Sequence, residues 1–426
     1  MRLRIEKAIY GGAGLARDEG KAIFVPLTLP GEVVEAHIVD DRTSYANAEL
    51  DEVIDASPER IAAACPYFGE CGGCHYQHAN YPGQLRLKAA ILREMLERAH
   101  LRDVPEIGIL QGDPIGYRNR IRLHVDRTSS LLCYKQRGSH VNLVVKECPI
   151  AAPVLQSALK RIQAQATNWR LGEWADEVEL FTNAEQSETL VTLWTRRSKR
   201  DADGYLQQLW PQLREAIPEI MGAAVVGSGE GKHKSGSVLA KMGKQALAYR
   251  ATGTEYRVSL GSFFQVNRLL IDGLVERVTK GRSGALVWDL YAGVGLFARA
   301  LARGFERVVA VEAAASSVAD LRHNLGAPHR VVAAATLEFL RGARAEGQPR
   351  PDLVVVDPPR AGLGKEISGL LSQIGPRHIT YVSCDPATLS RDLKSLVESG
   401  YHLTDVTMVD LFPQTFHLES VAMLSL

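Results

Sequence analysis

The residues with the most evident chemistry lie near the C-terminus. Cys384 sits in the step Ser383-Cys384-Asp385-Pro386, twenty-seven residues after the start of Asp357-Pro358-Pro359-Arg360. Both tetrapeptides follow apolar, β-rich runs at 353–356 and 379–382. Two neighbouring strands of a parallel sheet would deliver their loops to one edge, where open α/β sheets bind ligands. Most free cysteines are small buried core residues. Cys384 instead stands at a strand end, which makes it a candidate nucleophile. The same step reads as a helix start, with Asp385 as cap, Pro386 in the first turn and Gly400 at the far end. A free thiol titrates at about 8.5, and a helix N-terminus favours the thiolate.

A second group marks a cofactor. The strand 285–290 runs into Asp289-Leu290-Tyr291-Ala292-Gly293-Val294-Gly295. The two glycines allow a tight turn and close approach of a ligand before a helix. Glu312 closes the next strand nineteen residues after Gly293. A carboxylate there can accept hydrogen bonds from both ribose hydroxyls. Arg299 stands near the place of a third glycine, so a compact adenosyl ligand fits better than a dinucleotide. A third group is Cys65, Cys71 and Cys74. The chain lacks the apolar core of a signal peptide at Met1–Lys7 and is expected to be cytoplasmic. Three close cysteines there argue for a metal centre rather than crosslinks. Cys133 has no partner and reads as a buried structural residue.

The elements that must position these groups follow from the pattern. Residues 1–57 form short alternating runs broken by glycine-rich turns, the signature of a small β-barrel. A helix is expected over Gln84–His100, with Leu85, Ala89, Leu92 and Leu96 on one face. Residues 107–255 read as mostly β, with a hairpin at 178–181 and 189–194 and a helix at 152–164. From 256 onward strands alternate with helices, at 285–290, 307–311, 330–334, 353–356, 378–382, 404–411 and 419–425. The last two leave no room for a helix. The expected fold is a doubly wound α/β sheet ending in an antiparallel hairpin, joined to a small β-barrel and a mostly-β α+β domain.

With 426 residues and a net charge of +1, no global field recruits nucleic acid, so such a role needs local patches. One is 118–146, with Arg118, Arg120, Arg122, Arg127, Lys135, Arg137 and Lys146 against Asp126. Another is Lys232, Lys234, Lys241 and Lys244. Either alone reads as a solvated strand face. No run approaches eighteen apolar residues, which excludes a helical membrane span.

Five motifs in order carry a resemblance: Phe263-Phe264-Gln265-Val266-Asn267, Asp289–Gly293, Asp357–Arg360, Ser383–Pro386, and Pro413-Gln414-Thr415-Phe416-His417-Leu418-Glu419. Together they closely resemble the RNA uracil-5-methyltransferase family, whose catalytic fold is the class I methyltransferase sheet. Residues 1–57 look like a TRAM domain, an RNA-binding barrel carried by its 23S rRNA branch. Cys65, Cys71 and Cys74 with the distant Cys148 are similar to that branch's iron–sulfur site. Zinc sites of four cysteines usually come as two Cys-x2-Cys pairs, and here there is one pair plus two singles; the resemblance, more than the spacing, implies a [4Fe-4S] cluster. The resemblance implies Cys384 as nucleophile and Glu419 as base. It implies Gln265, Tyr291, Glu312 and Asp357 as contacts to S-adenosyl-L-methionine, and Phe263 near the target base. Leu296 stands where some relatives carry a polar contact, so that contact is not carried over.

The expected organisation is therefore a TRAM-like barrel at 1–57 and a central RNA-binding domain from the cysteine loop 58–76 plus 107–255. The methyltransferase domain is 256–426, with the helical segment 77–106 packed on it. The implied reaction is methylation of C5 of a uridine in 23S rRNA through a Cys–C6 adduct. A tRNA T-loop uridine methyltransferase is the nearest alternative. A non-catalytic iron–sulfur RNA-binding protein is the alternative of another class. A cytosine C5-methyltransferase would want two cysteines near the catalytic strands, and only Cys384 is there. The expected partner is RNA, with no membrane and no obligate protein partner, and the expected state is a monomer.

Overall fold

The computed structural model describes residues 1–101, 103–228 and 236–426. Lys232 and Lys234 lie outside the described residues. An eight-stranded sheet organises the C-terminal part. Its order is Arg330–Ala333, Phe305–Glu312, Gly284–Leu290, Leu353–Val356, His378–Ser383, Glu419–Ser425, His402–Val409, Ile107–Leu110. The first five strands are parallel. Glu419–Ser425 runs antiparallel to both its neighbours. Alternate residues feed two cores, one on each face. Trp288, Leu290, Val354 and Tyr381 enter one, and Val287, Leu353, Val355 and Val382 the other. Burial on both faces explains the unbroken apolar runs that marked these strands. Strand order reverses around Gly284–Leu290, so the loop after it opens at the switch point.

The helix Tyr81–Arg98 starts at Asn80, whose side chain accepts the Gly83 N–H at 2.8 Å. Its Leu85, Leu92 and Leu96 pack into the catalytic core beside Leu389, Leu393 and Leu396 of the helix Pro386–Glu398. Lys88, on the same face, is fully buried and donates to Asp410 at 2.6 Å and to the Phe412 carbonyl at 2.9 Å. Ile107–Leu110 then forms the far edge of the same sheet, parallel to His402–Val409. This corrects the expectation that the central unit begins at 107. A four-residue strand carries too little pattern to announce its sheet. Likewise the hairpin of Ala246–Ala251 and Thr254–Ser259 buries Leu247, Tyr249, Tyr256 and Val258 in the catalytic core, not the central one.

The central sheet has seven strands, in the order Asn142–Val144, Leu132–Lys135, Arg120–Val125, Glu177–Thr182, Thr189–Thr195, Ile220–Gly227, Val238–Gly243. Helices Pro153–Gln165 and Lys199–Ala216 share a core with its Ile121, Leu123 and Val125. The alternate residues Arg120 and Arg122 are engaged rather than merely solvated. Their guanidinium groups lie 4.1 Å from the ring centres of Phe181 and Trp194, and Arg122 also pairs with Glu177. Six strands within residues 2–55 make the N-terminal β unit around Leu3, Ile5, Ile23, Val25 and Val34. Among the described residues no helix is long and apolar enough to cross a membrane.

Candidate active site and cysteine loop

Cys384 follows the strand His378–Ser383 and precedes the helix Pro386–Glu398. Asp385 caps that helix, its Oδ1 accepting the N–H groups of Ala387 and Thr388 at 3.0 and 2.9 Å. The antiparallel register pairs Ser383 with Ser420, so the next step brings Cys384 beside Glu419. Asp357 follows the neighbouring parallel strand. Three acids therefore meet at adjoining strand ends. Burial drives each toward its protonated form. The Cys384 thiol is pushed up to about 11, first by burial and then by Glu419 and Asp357, with Arg360 opposing. Asp357 rises to about 7 through burial. Glu419, 4% exposed, is raised well above the carboxylate range by burial and by Asp357, again opposed by Arg360. Burial, with Glu419 and Asp357, thus works in the free protein against the thiolate that the helix end favours.

The cofactor-type cleft lies at the switch point, lined by Phe263, Gln265, Tyr291, Gly293, Val294 and Asp357. Gly293 and Gly295 both take positive φ, and a Cβ on Gly295 would meet Leu321 Cδ1 at 2.7 Å. Tyr291 also takes positive φ, an uncommon state for a bulky residue. Glu312 is anchored by its surroundings. Its Oε2 accepts the Gly293 N–H at 2.9 Å, and its Oε1 accepts those of Ala313 and Ala314 at 2.8 and 2.7 Å. Gln265 Nε2 donates to Asp357 Oδ2 at 3.4 Å, joining the cleft to the thiol edge. Of the two adjacent phenylalanines, Phe264 is core, packed on Tyr249, and Phe263 is 63% exposed at the cleft. Leu296 lines the cleft as an apolar wall.

The four other cysteines of the metal pattern gather between the central sheet and the catalytic loop. Gly72 N–H donates to the Lys135 carbonyl at 3.0 Å, and Cys71 bridges to Gln136. Cys65 and Cys74 each feel the charge of Cys148, and Cys71 feels that of Cys65. All four thiols are raised, first by burial. Arg118 and Arg137 supply positive charge beside them. Among the described residues no group of three or more His, Cys, Asp or Glu side chains is closed to metal-holding geometry. The donor set of four neighbouring thiols with cations beside them suits an anionic metal–thiolate group. Cys133 is buried apart from them, its Sγ against the His124 carbonyl at 3.4 Å.

Some site residues carried no role in the sequence. Arg360 donates to His417 Nδ1 at 3.2 Å, and burial lowers His417 to about 4, leaving a neutral acceptor. Both were visible inside motifs. Asp320 gave no signal, yet it accepts from Ser259 and Ser262 and so fixes the turn before Phe263.

The reversed strand order, the glycine loop at the switch point and the thiol on the adjoining edge define a class I methyltransferase. The chain belongs to the tRNA (Uracil-5-)-methyltransferase family, whose model matches residues 80–343 and 347–426, and residues 1–50 match the TRAM domain. An uncharacterized RNA methyltransferase of Aquifex aeolicus is 34% identical over all of this chain and 98% of its own. The 23S rRNA (uracil(1939)-C(5))-methyltransferase of Vibrio parahaemolyticus is 30% identical, covering 99% of this chain and 95% of its own. The tRNA (uracil-54, C5)-methyltransferase of Pyrococcus abyssi, solved with S-adenosyl-L-homocysteine, superposes with a TM-score of 0.78 over all of both chains at 24% identity.

Proposed function

We propose that this enzyme methylates C5 of a uridine in 23S rRNA, with Cys384 as nucleophile and Glu419 as base. The meeting of Cys384, Glu419 and Asp357 at adjoining strand ends, beside the cofactor cleft, carries this reading. The Vibrio relative at near-full length favours rRNA over tRNA, since the tRNA enzyme shares the fold at lower identity. The barrel and the central sheet hold the RNA, and the unit containing the helix Tyr81–Arg98 performs the chemistry.

Gln265, Tyr291, Glu312 and Asp357 hold S-adenosyl-L-methionine, and Glu312 takes a ribose hydroxyl on the Oε2 lone pair that its three backbone bonds leave free. Bound there, that molecule supplies an electrophilic methyl group on a sulfonium. Phe263 offers a face on which a uracil flipped out of its stack can rest. The Cys384 sulfur adds to C6, and the ring electrons move to O4 as an enolate. C5 then attacks the methyl carbon, and the methyl–sulfonium bond breaks. Glu419 removes the C5 proton, and the returning electrons expel the Cys384 thiolate. Covalent catalysis splits one hard step into easier ones. A thiol raised to about 11 must give up its proton on substrate entry, and Asp357, raised to about 7, can take it and leave Glu419 free for the C5 proton. Cys65, Cys71, Cys74 and Cys148 would hold a [4Fe-4S] cluster that takes no part in methyl transfer.

RNA containing 5-fluorouridine, incubated with S-adenosylmethionine, should trap a covalent complex. The Cys384→Ser variant should trap none while still binding RNA. A wild-type protein that binds both ligands and forms no adduct would overturn the reading.

A further inference from the structure

Gln414 stands five residues before Glu419 and is held from two directions. Its backbone lies at φ +70°, a left-handed state that non-glycine residues rarely adopt without support. Its carbonyl accepts the N–H groups of His75 and Tyr76, at 2.7 and 3.0 Å. Its own N–H donates to Gln84 Oε1 at 3.0 Å, and its side-chain Oε1 accepts from Gln84 Nε2 at 2.9 Å. His75 directly follows Cys74, and its ring meets Phe416 edge-on at 4.7 Å. The rest of the loop is fixed as well. Tyr117 donates to the Pro413 carbonyl at 3.0 Å, Asn267 to that of Leu411 at 3.1 Å and Lys88 to that of Phe412 at 2.9 Å.

We infer that Gln414 is a positioning residue for Glu419, and that through it the cysteine loop braces the segment that delivers the base. The inference rests on Glu419 being the base. A local turn, closed by the Thr415 N–H on the Phe412 carbonyl at 3.3 Å with Pro413 at its second position, permits this conformation, and residues 75 and 76, more than three hundred positions away, fix its carbonyl. Two short backbone hydrogen bonds to one carbonyl, buried at 7% exposure, offset the cost of the left-handed state. The cysteine loop thereby gains a task that needs no electron transfer: a firm Cys71–Cys74 turn keeps His75 and Tyr76 aimed at Gln414.

The base acts after methyl transfer, which gives a distinctive readout. If Glu419 is misplaced, Cys384 still adds to C6 and the methyl still moves, but the C5 proton stays and the adduct persists. Gln414→Ala, assayed on in vitro transcribed 23S rRNA without fluorine, should lower kcat by roughly ten- to a hundredfold and KM for RNA with it, leaving kcat/KM nearly unchanged. The fraction of protein crosslinked to RNA on a denaturing gel should rise as kcat falls. Gln414→Gly tolerates the backbone angle and keeps the carbonyl, so it should show a smaller loss of the same kind. Gln84→Ala should match the glycine variant. A parallel fall of adduct and turnover, or no change in either, would overturn the inference. Failure of Glu419→Gln to accumulate adduct would instead remove the base reading beneath it.

Discussion

Two glutamates end strands of the same sheet, and their surroundings give them opposite characters. Glu312 closes a strand and receives three backbone N–H groups, two on one oxygen and one on the other. Such bonding fixes the direction of the carboxylate. Glu419 opens a strand, lies buried, and faces Asp357. Burial and a like charge favour the proton. The sheet thus presents a fixed acceptor on the cofactor side and a proton-exchanging group on the thiol side. Identical side chains acquire different chemistry from where the strand ends.

The sharpest way to break this contrast is to remove each carboxylate without changing its shape. Glu419→Gln should lower turnover by ~10²–10⁴, the usual contribution of a positioned base, and leave the affinity for S-adenosylmethionine unaltered. Adduct should accumulate. The pH profile of the native enzyme carries the same signature. Glu419 must be ionised to take a proton, and its pKa lies well above the carboxylate range. Single-turnover rates should therefore rise with pH through neutrality instead of levelling off near pH 5. A profile already flat above pH 5 would deny Glu419 the role.

Glu312→Gln should move the other quantity. A neutral amide has one acceptor oxygen in place of two, and its NH2 group faces N–H donors that now surround the carboxylate, so the acceptor for the ribose hydroxyl is displaced. The loss of hydrogen bonds worth about 1–1.5 kcal/mol each weakens cofactor binding by about ten- to a hundredfold. Equilibrium dialysis with S-adenosyl-L-homocysteine measures this directly. Adduct formation at saturating cofactor should be nearly unchanged. A variant that loses turnover but not affinity would erase the distinction between the two glutamates.

Much of this was legible in the chain. Buried strands advertise themselves in the chain, so the unbroken apolar run 353–356 and the antiparallel strand 419–425 match the observed strands residue for residue. The cap at Asp385 was likewise visible, because capping is a local interaction. What the chain concealed depends on long-range partners. The strand Ile107–Leu110 acquires its sheet only by meeting His402–Val409. The raised thiol of Cys384 comes first from burial and then from Glu419 and Asp357, none of which helix-end reasoning can see. Pro413 marks a turn at Gln414, but the partners of the Gln414 carbonyl, N–H and side chain, residues 75, 76 and 84, gave no sign.

The smallest effect concerns a third carboxyl, Asp289, which extends the comparison into the cofactor loop. It is fully buried, and burial raises it to about 8, with Asp357 and Glu312 adding to the rise. The Ala298 backbone N–H works against this, yet neither Asp289 oxygen has a partner in hydrogen-bond geometry. In the unfolded chain an aspartate titrates near about 3.9. Between about pH 4 and pH 8 the folded protein therefore keeps a proton that the unfolded chain has released. Stability then falls as pH rises across that window. An amide side chain at this position cannot ionise, so Asp289→Asn escapes this penalty. Calorimetry should find the Tm of the variant gaining on that of the native protein by a few degrees between pH 5 and pH 8.5. A gap that stays constant with pH would mean that Asp289 is held as an anion in the folded protein, against the direction its burial sets.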